Sequence, residues 1–78
     1  MAAQESVHRF QFGVRHFQIV VSGEHMFKVL RIEEVLGDPD NPDRLDILDQ
    51  PTLKPFASEA AAVEFGKQRC LEIVGREG

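Results

Sequence analysis

Five aspartates between residues 38 and 49 are the first candidates for chemistry in this 78-residue chain. A hard cation such as Ca²⁺ takes several carboxylate oxygens from one loop. The spacing departs from the EF-hand pattern, because the sixth position, which should be Gly, is Asp43 and the position before it is Pro42. We therefore interpret the stretch as a solvated acidic turn rather than a specific calcium site. Its members are also a candidate acidic contact loop for a protein: Asp38, Asp40, Asp43 and Asp46.

The histidines and the single cysteine form no recognisable metal or nucleophile motif. His8, His16 and His25 have no short zinc spacing and no cysteine beside them. Cys70 falls on the apolar face of a predicted helix, which favours a buried thiol over a reactive one. The carboxylates have no predicted pocket in which to act as acid or base. We predict a non-enzyme with no metal and no cofactor.

Basic residues on the predicted strands raise the possibility of a nucleic-acid surface. Arg9, Arg15, Lys28 and Arg31 could line one face of a sheet, with Phe27 available to stack on a base. Against this, the chain has 13 acidic and 9 basic residues and a formal net charge of −4. An excess of acidic residues disfavours a protein that binds the phosphate backbone of nucleic acids. The composition favours a protein partner over nucleic acid.

The segment 56–75 has the strongest local identity, and its composition predicts a C-terminal helix. Ser58 can serve as the N-cap, three consecutive alanines from Ala60 follow it, and Gly75 comes after the last apolar residue as a stop. Gly66 lies within the apolar stripe, where its use is to let the helix approach a sheet closely. Phe65 lies at the edge of that stripe, either as a flank residue that closes over the core or as a contact for a partner.

Alternation of polar and apolar residues predicts strands ahead of this helix. The expected strands are 7–12, 17–21, 25–35 and 44–48, with turns at 13–16 and 22–25, a frayed terminus at 1–6 and a proline-containing loop at 36–43. This order predicts an α+β fold: a three- to four-stranded antiparallel sheet, β-β-β-(β)-α, with one C-terminal helix packed on one face. One domain would span residues 1–78.

The second face of this sheet is the oddity of the sequence. If Phe17 pairs with Leu30, the face away from the helix carries Val20, Phe27 and Val29. One helix covers only one side of a sheet. Either twist or a bulge tucks these residues under a loop, or they form an interface. Together with Phe65 they are the candidate protein interface.

The start of the helix, F-A-S-E-A-A-A-V-E-F-G-K at 56–67, carries one resemblance. After a run of strands, it is similar to a loose group of small uncharacterised bacterial proteins in which an antiparallel sheet precedes an F-x-S/T-x-x-x-A helix. The resemblance covers this motif and the order of elements. It implies a compact bacterial accessory protein and transfers no active-site residue, and the Asp/Pro stretch departs from it.

Two functions are compatible with these features. The first is a non-enzymatic protein-binding or assembly module that forms a homodimer through the second sheet face. The second is an acidic regulatory or inhibitory protein that binds a basic protein surface. The first residues lack the apolar region of a signal peptide and no run is long enough to span a bilayer, so we expect a cytoplasmic protein.

Overall fold

Four long strands form an antiparallel sheet in the order in which they occur along the chain. The computed structural model describes residues 4–77. Its elements are β1 (Glu5–Phe12), β2 (Arg15–Gly23), β3 (Phe27–Asp38), β4 (Asn41–Asp49), β5 (Pro55–Phe56) and α1 (Glu59–Glu77). The short β5 pairs with the start of β3, beyond the end of β4. The predicted α+β class, with one C-terminal helix against an antiparallel sheet, is confirmed.

The first hairpin is tighter than predicted. Its loop is Gly13 and Val14 alone instead of residues 13–16, and Phe10 therefore lies opposite Phe17. Gly13 has a φ of 64°. A two-residue loop whose first residue has a positive φ follows the twist of the paired strands. A four-residue loop does not require a positive φ at that position.

The predicted loop at 36–43 is wrong, because β3 and β4 continue through most of it. Pro42 lies opposite Gly37, and only residues 39 and 40 remain outside the strands. Two features accommodate the proline and the turn. The strand β4 is at the edge of the sheet at this point, where a missing N–H is tolerated, and Gly37 adopts a φ of 90° beside an irregularity in the pairing. The Asp40 N–H donates to Asp38 Oδ1 at 2.9 Å.

The chain start and the helix ends also differ from expectation. The predicted frayed terminus is wrong for residues 5 and 6, which belong to β1, while residues 1–3 lie outside the described part. The helix begins at Glu59 instead of residue 56, and the predicted N-cap is confirmed, since Ser58 Oγ accepts from the Ala61 N–H at 3.1 Å. Gly75 does not stop the helix, which continues to Glu77.

The core lies between the helix and one face of the sheet. The close approach predicted at Gly66 is confirmed, because a Cβ added there would lie 2.6 Å from Ile19 Cγ2. Cys70 is buried in the same layer, as predicted. The buried members of the core are Phe17, Ile19, Val21, Val29, Ile32, Ala62 and Cys70.

A bulge in β3 sets which of its side chains reach this core. Val20 lies opposite Arg31, but the next residue, Val21, lies opposite Val29. Leu30 is therefore one extra residue in β3, and the residues before it are on the face opposite to the one that strict alternation assigns. The predicted pairing of Phe17 with Leu30 is wrong, since Phe17 lies opposite Glu34. Most of this shift arises because β2 continues to Gly23 and the turn is residues 24–26 instead of 22–25, and the bulge adds one residue to it.

Candidate functional site

The face of the sheet away from α1, hereafter the open face, is the first candidate site. Register places one residue from each strand in a row across it: Arg9, Gln18, Glu33 and Ile47. A neighbouring row contains Val35 and Leu45, and another contains Val7 and Val20. Since α1 packs on the other side, the open face is where a partner has access to the sheet.

Four polar side chains form a connected network on the open face. Gln18 Nε2 donates to Glu33 Oε1 at 2.8 Å, and Arg31 Nε donates to the same oxygen at 3.2 Å. Arg9 Nε donates to Gln18 Oε1 at 3.4 Å, and Arg9 Nη1 donates to the Pro39 carbonyl at 2.5 Å. We call Arg9, Gln18, Glu33 and Arg31 the polar ladder.

The polar ladder is satisfied within the chain. Gln18 and Glu33 are both buried, and every buried side-chain nitrogen and oxygen among the described residues has a hydrogen-bond partner. The bond from Arg9 to Pro39 also brings the tip of the β3–β4 hairpin to the side of β1, across β2. The ladder therefore joins three strands and draws the hairpin tip towards the open face.

The apolar residues predicted for this face are largely replaced by others. Phe27 and Val29 are not on the open face but pack in the core under α1, because the bulge at Leu30 reverses the alternation. Val20 is on the open face, yet only 1% of it is exposed, so the chain itself covers it. The exposed aliphatic residues there are instead Val7 (53%), Leu45 (43%) and Ile47 (56%).

Sequence reasoning missed these three residues for identifiable causes. Leu45 and Ile47 alternate along a recognisable strand, but assigning them to a face requires the register of β3 and β4, which the bulges shift. The alternation in β1 places Val7 on the face opposite to that of Phe10. Its position beside Val20 follows only when the first loop has two residues.

Phe65, the remaining predicted interface residue, is on the helix side of the molecule. Its ring centroid is 5.1 Å from that of Phe56, and Lys54 Nζ is 5.0 Å from the Phe65 centroid. It is half-buried and packs against the core, which agrees with a flank residue.

Phe65 also lines a cleft of about 790 Å³ between α1 and residues 49–51, hereafter the helix groove. Its lining residues are Asp49, Pro51, Ala61, Glu64, Phe65, Gln68, Arg69 and Glu72. Arg69 Nε donates to Asp49 Oδ2 at 2.8 Å and Nη1 donates to Glu72 Oε2 at 3.4 Å. The hydrogen bond with Asp49 raises the pKa of Arg69 above its usual value, so this guanidinium stays charged.

Ser6, His8 and Glu59 meet where β1 passes the start of α1. Ser6 Oγ donates to Glu59 Oε1, and His8 Nε2 lies 3.1 Å from Ser6 Oγ and 3.0 Å from Glu59 Oε1. In a serine hydrolase the histidine uses one ring nitrogen for the serine and the other for the acid. Here the same ring nitrogen, His8 Nε2, faces both the hydroxyl and the carboxylate. The serine hydroxyl donates its hydrogen bond to the carboxylate of Glu59 and not to the histidine. The cluster lacks the relay of a nucleophilic serine and ties β1 to α1.

The hydrogen bonds of this cluster act on the carboxylate of Glu59. The hydrogen bond from Ser6, followed by that from His8, lowers the pKa of Glu59 below its usual value. Among residues 4–77 no group of three or more His, Cys, Asp and Glu side chains is placed to hold a metal ion. His8, His16 and His25 do not converge, since only His8 is in this cluster.

The predicted acidic contact loop is a hairpin rather than a free loop. Asp38 and Asp40 lie at its tip and are exposed, as is Asp43. Asp46 accepts from Arg44 Nε at 2.9 Å in β4. The carboxylates are spread along two paired strands, and their role in binding a basic protein stays a prediction.

Comparisons with known proteins assign no relative. No family model matches the chain, and neither curated proteins nor solved structures give a match. Within residues 4–77, no helix combines the length and apolar character needed to cross a membrane. Function is therefore inferred from the open face and the helix groove themselves.

Proposed function

We propose that this protein is a non-enzymatic assembly module that pairs with a second copy of itself through the open face. The observation that carries the proposal is the set of exposed aliphatic side chains, Val7, Leu45 and Ile47, on either side of the polar ladder. Exposed apolar side chains rimmed by polar ones are typical of protein interfaces. The helix covers the other side of the sheet and leaves these three side chains accessible.

The charges of the open face suit a second copy. Register places both signs on it: Lys28, Arg9 and Arg31 are basic, and Glu5 and Glu33 are acidic. In a two-fold dimer the same patch meets itself, so a patch that contains both signs can be its own complement. A uniformly acidic surface, in contrast, would repel its copy.

The polar ladder reduces the cost of covering this face. A buried polar group without a partner costs about 1–3 kcal/mol, but Gln18 and Glu33 already have partners in the chain. A second copy would therefore gain from the aliphatic side chains without stranding these groups. A standard interface buries about 800 Å² per partner, roughly a sixth of the 5136 Å² that the chain exposes.

Sedimentation of the wild type and of Ile47→Glu over a wide concentration range tests the proposal. We expect a concentration-dependent dimer for the wild type and a monomer for Ile47→Glu, because the new carboxylate would be desolvated in the contact. Leu53→Glu is the control, since Leu53 is 95% exposed and lies outside the open face. Phe27 is unsuitable as a probe because it packs against the core.

Two results would contradict self-association through the open face. One is a wild type that stays monomeric up to about 1 mM, because the affinity of the chain for a second copy would then be negligible. The other is a dimer that Ile47→Glu and Leu53→Glu leave equally intact. Circular dichroism of each variant establishes that its fold is retained.

A further inference from the structure

We infer that the helix groove binds a segment of another protein that presents an apolar side chain flanked by basic residues. The groove is on the helix side of the molecule, whereas the open face is on the other side of the sheet. The two surfaces can therefore be occupied together. The inference does not depend on self-association.

The groove offers an apolar contact of suitable size. Phe65, Pro51 and Ala61 are among its lining residues, and Phe65 is held in place by Phe56. Its volume of about 790 Å³ is within the range of roughly 300–1,000 Å³ that is common for ligand sites. An aliphatic or aromatic side chain is the complementary group.

The charges around this contact favour a cationic occupant. Among the lining residues that the structure describes, Asp49, Glu64 and Glu72 are acidic and Arg69 is basic. Lys54 Nζ lies 5.0 Å from the centroid of the Phe65 ring, so carboxylates outnumber cations by three to two. Arg69 bonds to both Asp49 and Glu72 and so fixes the positions of these two carboxylates in the unbound protein. A carboxylate accepts several hydrogen bonds, so each can bond to Arg69 and to a lysine or arginine of the partner.

The shape of the groove favours an extended segment over a compact small molecule. Its helical residues recur every three or four positions from Ala61 to Glu72, a stretch of about 16 Å at 1.5 Å per residue. An extended peptide of about five residues spans that length. A second copy is the poorer occupant, because the chain carries a net charge of −4 and the groove is itself acidic.

Three blocked, fluorescently labelled ten-residue peptides are the probes: one of leucine and lysine, one of leucine and glutamate, and one of serine and lysine. Anisotropy with the full chain should show binding of the leucine–lysine peptide, and at least about tenfold weaker binding of the other two. The first comparison tests the charge and the second tests the apolar contact. Amide chemical shifts should change at residues 61–72.

Matched variants locate the binding. Ala61→Arg places bulk and positive charge in the groove and should weaken binding of the leucine–lysine peptide at least about tenfold. Ala60→Arg is the same change one residue earlier, at an exposed position that does not line the groove, and should leave binding unchanged. Glu72→Lys should also weaken binding, while Glu24→Lys, with the same change in net charge, should not.

The inference is overturned by any of three outcomes. The leucine–lysine peptide does not bind up to about 1 mM, the serine–lysine peptide binds as tightly, or Ala61→Arg and Ala60→Arg have equal effects. Ile47→Glu should not alter peptide binding. A failure here is thereby distinguished from a failure of self-association.

Discussion

Gly66 determines how closely α1 can approach the sheet. A Cβ at this position would lie 2.6 Å from Cγ2 of Ile19, which is itself fully buried. We expect Gly66→Ala to cost about 1–3 kcal/mol through overpacking of the core. Alanine brings about 1 kcal/mol of helix propensity in return, so the net loss in the free energy of unfolding should be about 0–2 kcal/mol. Urea unfolding followed by circular dichroism measures the difference.

Gly75→Ala is the matched control for this prediction. Gly75 lies in the same helix, and a Cβ there would meet no atom within 4 Å. Only the higher helix propensity of alanine relative to glycine then affects stability. This variant should therefore gain up to about 1 kcal/mol in the free energy of unfolding, and less where the helix end frays. Equal effects of the two substitutions would show that contact with Ile19 does not set the helix position.

Glu59 should make stability depend on pH in the acidic range. Its folded pKa is below the ordinary value of 4.5 because Ser6 and His8 bond to its charged form. A lowered folded pKa gives a contribution that is fully present above the unfolded pKa and is lost as pH falls through the folded pKa. Glu59→Gln should therefore be less stable than the wild type at neutral pH, with the difference shrinking below pH 4.5.

The urea midpoints of both proteins across this range provide the measurement. Glu64→Gln is the matched substitution on the exposed side of the same helix, away from the hydrogen bonds of Ser6 and His8 to Glu59. A difference for Glu59→Gln that is constant with pH would mean that the loss of stability does not come from the charge of Glu59.

At the scale of elements, the bulge in β3 arises because this strand has one residue more than the β2 segment it pairs with, whatever the side chain of that residue. Deleting Leu30 would remove the extra residue, so Val29 would precede Arg31 directly and Phe27 and Val29 would stay opposite Gly23 and Val21, facing the helix. Burying each such side chain contributes about 1.5–3 kcal/mol, and because both stay buried we expect the deletion to cost less than about 3 kcal/mol in unfolding free energy. Chemical denaturation of the deletion variant and of Leu30→Ala, which keeps the residue count, measures this; a larger cost of the deletion would show that the extra residue holds Phe27 and Val29 under α1.

The same element explains how far the sequence could predict the fold. Features set by neighbours along the chain were readable: the Ser58 cap, the approach at Gly66, the burial of Cys70 and the order of the four long strands. The face of Phe27 and Val29 was not, since one extra residue reverses a pattern of period two without changing its composition.

The site was less readable than the fold. The polar ladder depends on cross-strand neighbours that only the true register brings together, such as Gln18 and Glu33. The hairpin at 39–40 was hidden because prolines normally exclude a strand, and they do so less strictly at a sheet edge. Phe65 was identified by its place on the helix, but its groove required the position of residues 49–51.

For the whole molecule, self-association should appear in the thermodynamics of unfolding. If the folded chain pairs and the unfolded chain does not, mass action stabilises the wild type as protein concentration rises. Its thermal midpoint should then increase with concentration, whereas that of Ile47→Glu should not. At low concentration the two midpoints should nearly coincide, because an exposed substitution usually changes stability by no more than about 0.5 kcal/mol.

Calorimetry over a wide range of protein concentrations checks this prediction. Leu53→Glu should follow the wild type, since it removes exposed apolar surface outside the open face. A midpoint that is independent of concentration in all three proteins would argue for a monomer under every condition tested.

The order of the strands in the sheet has a consequence for how the chain reaches this structure. Each of the four long strands pairs with its neighbour in sequence, across loops of two or three residues. The entropy lost in closing such loops is small, and hairpins of this kind form in about 1–10 μs. Pairing of β5 with β3 and docking of α1 close much longer loops. We therefore expect the sheet to form early as a set of local hairpins, and the arrival of the helix to set the folding rate.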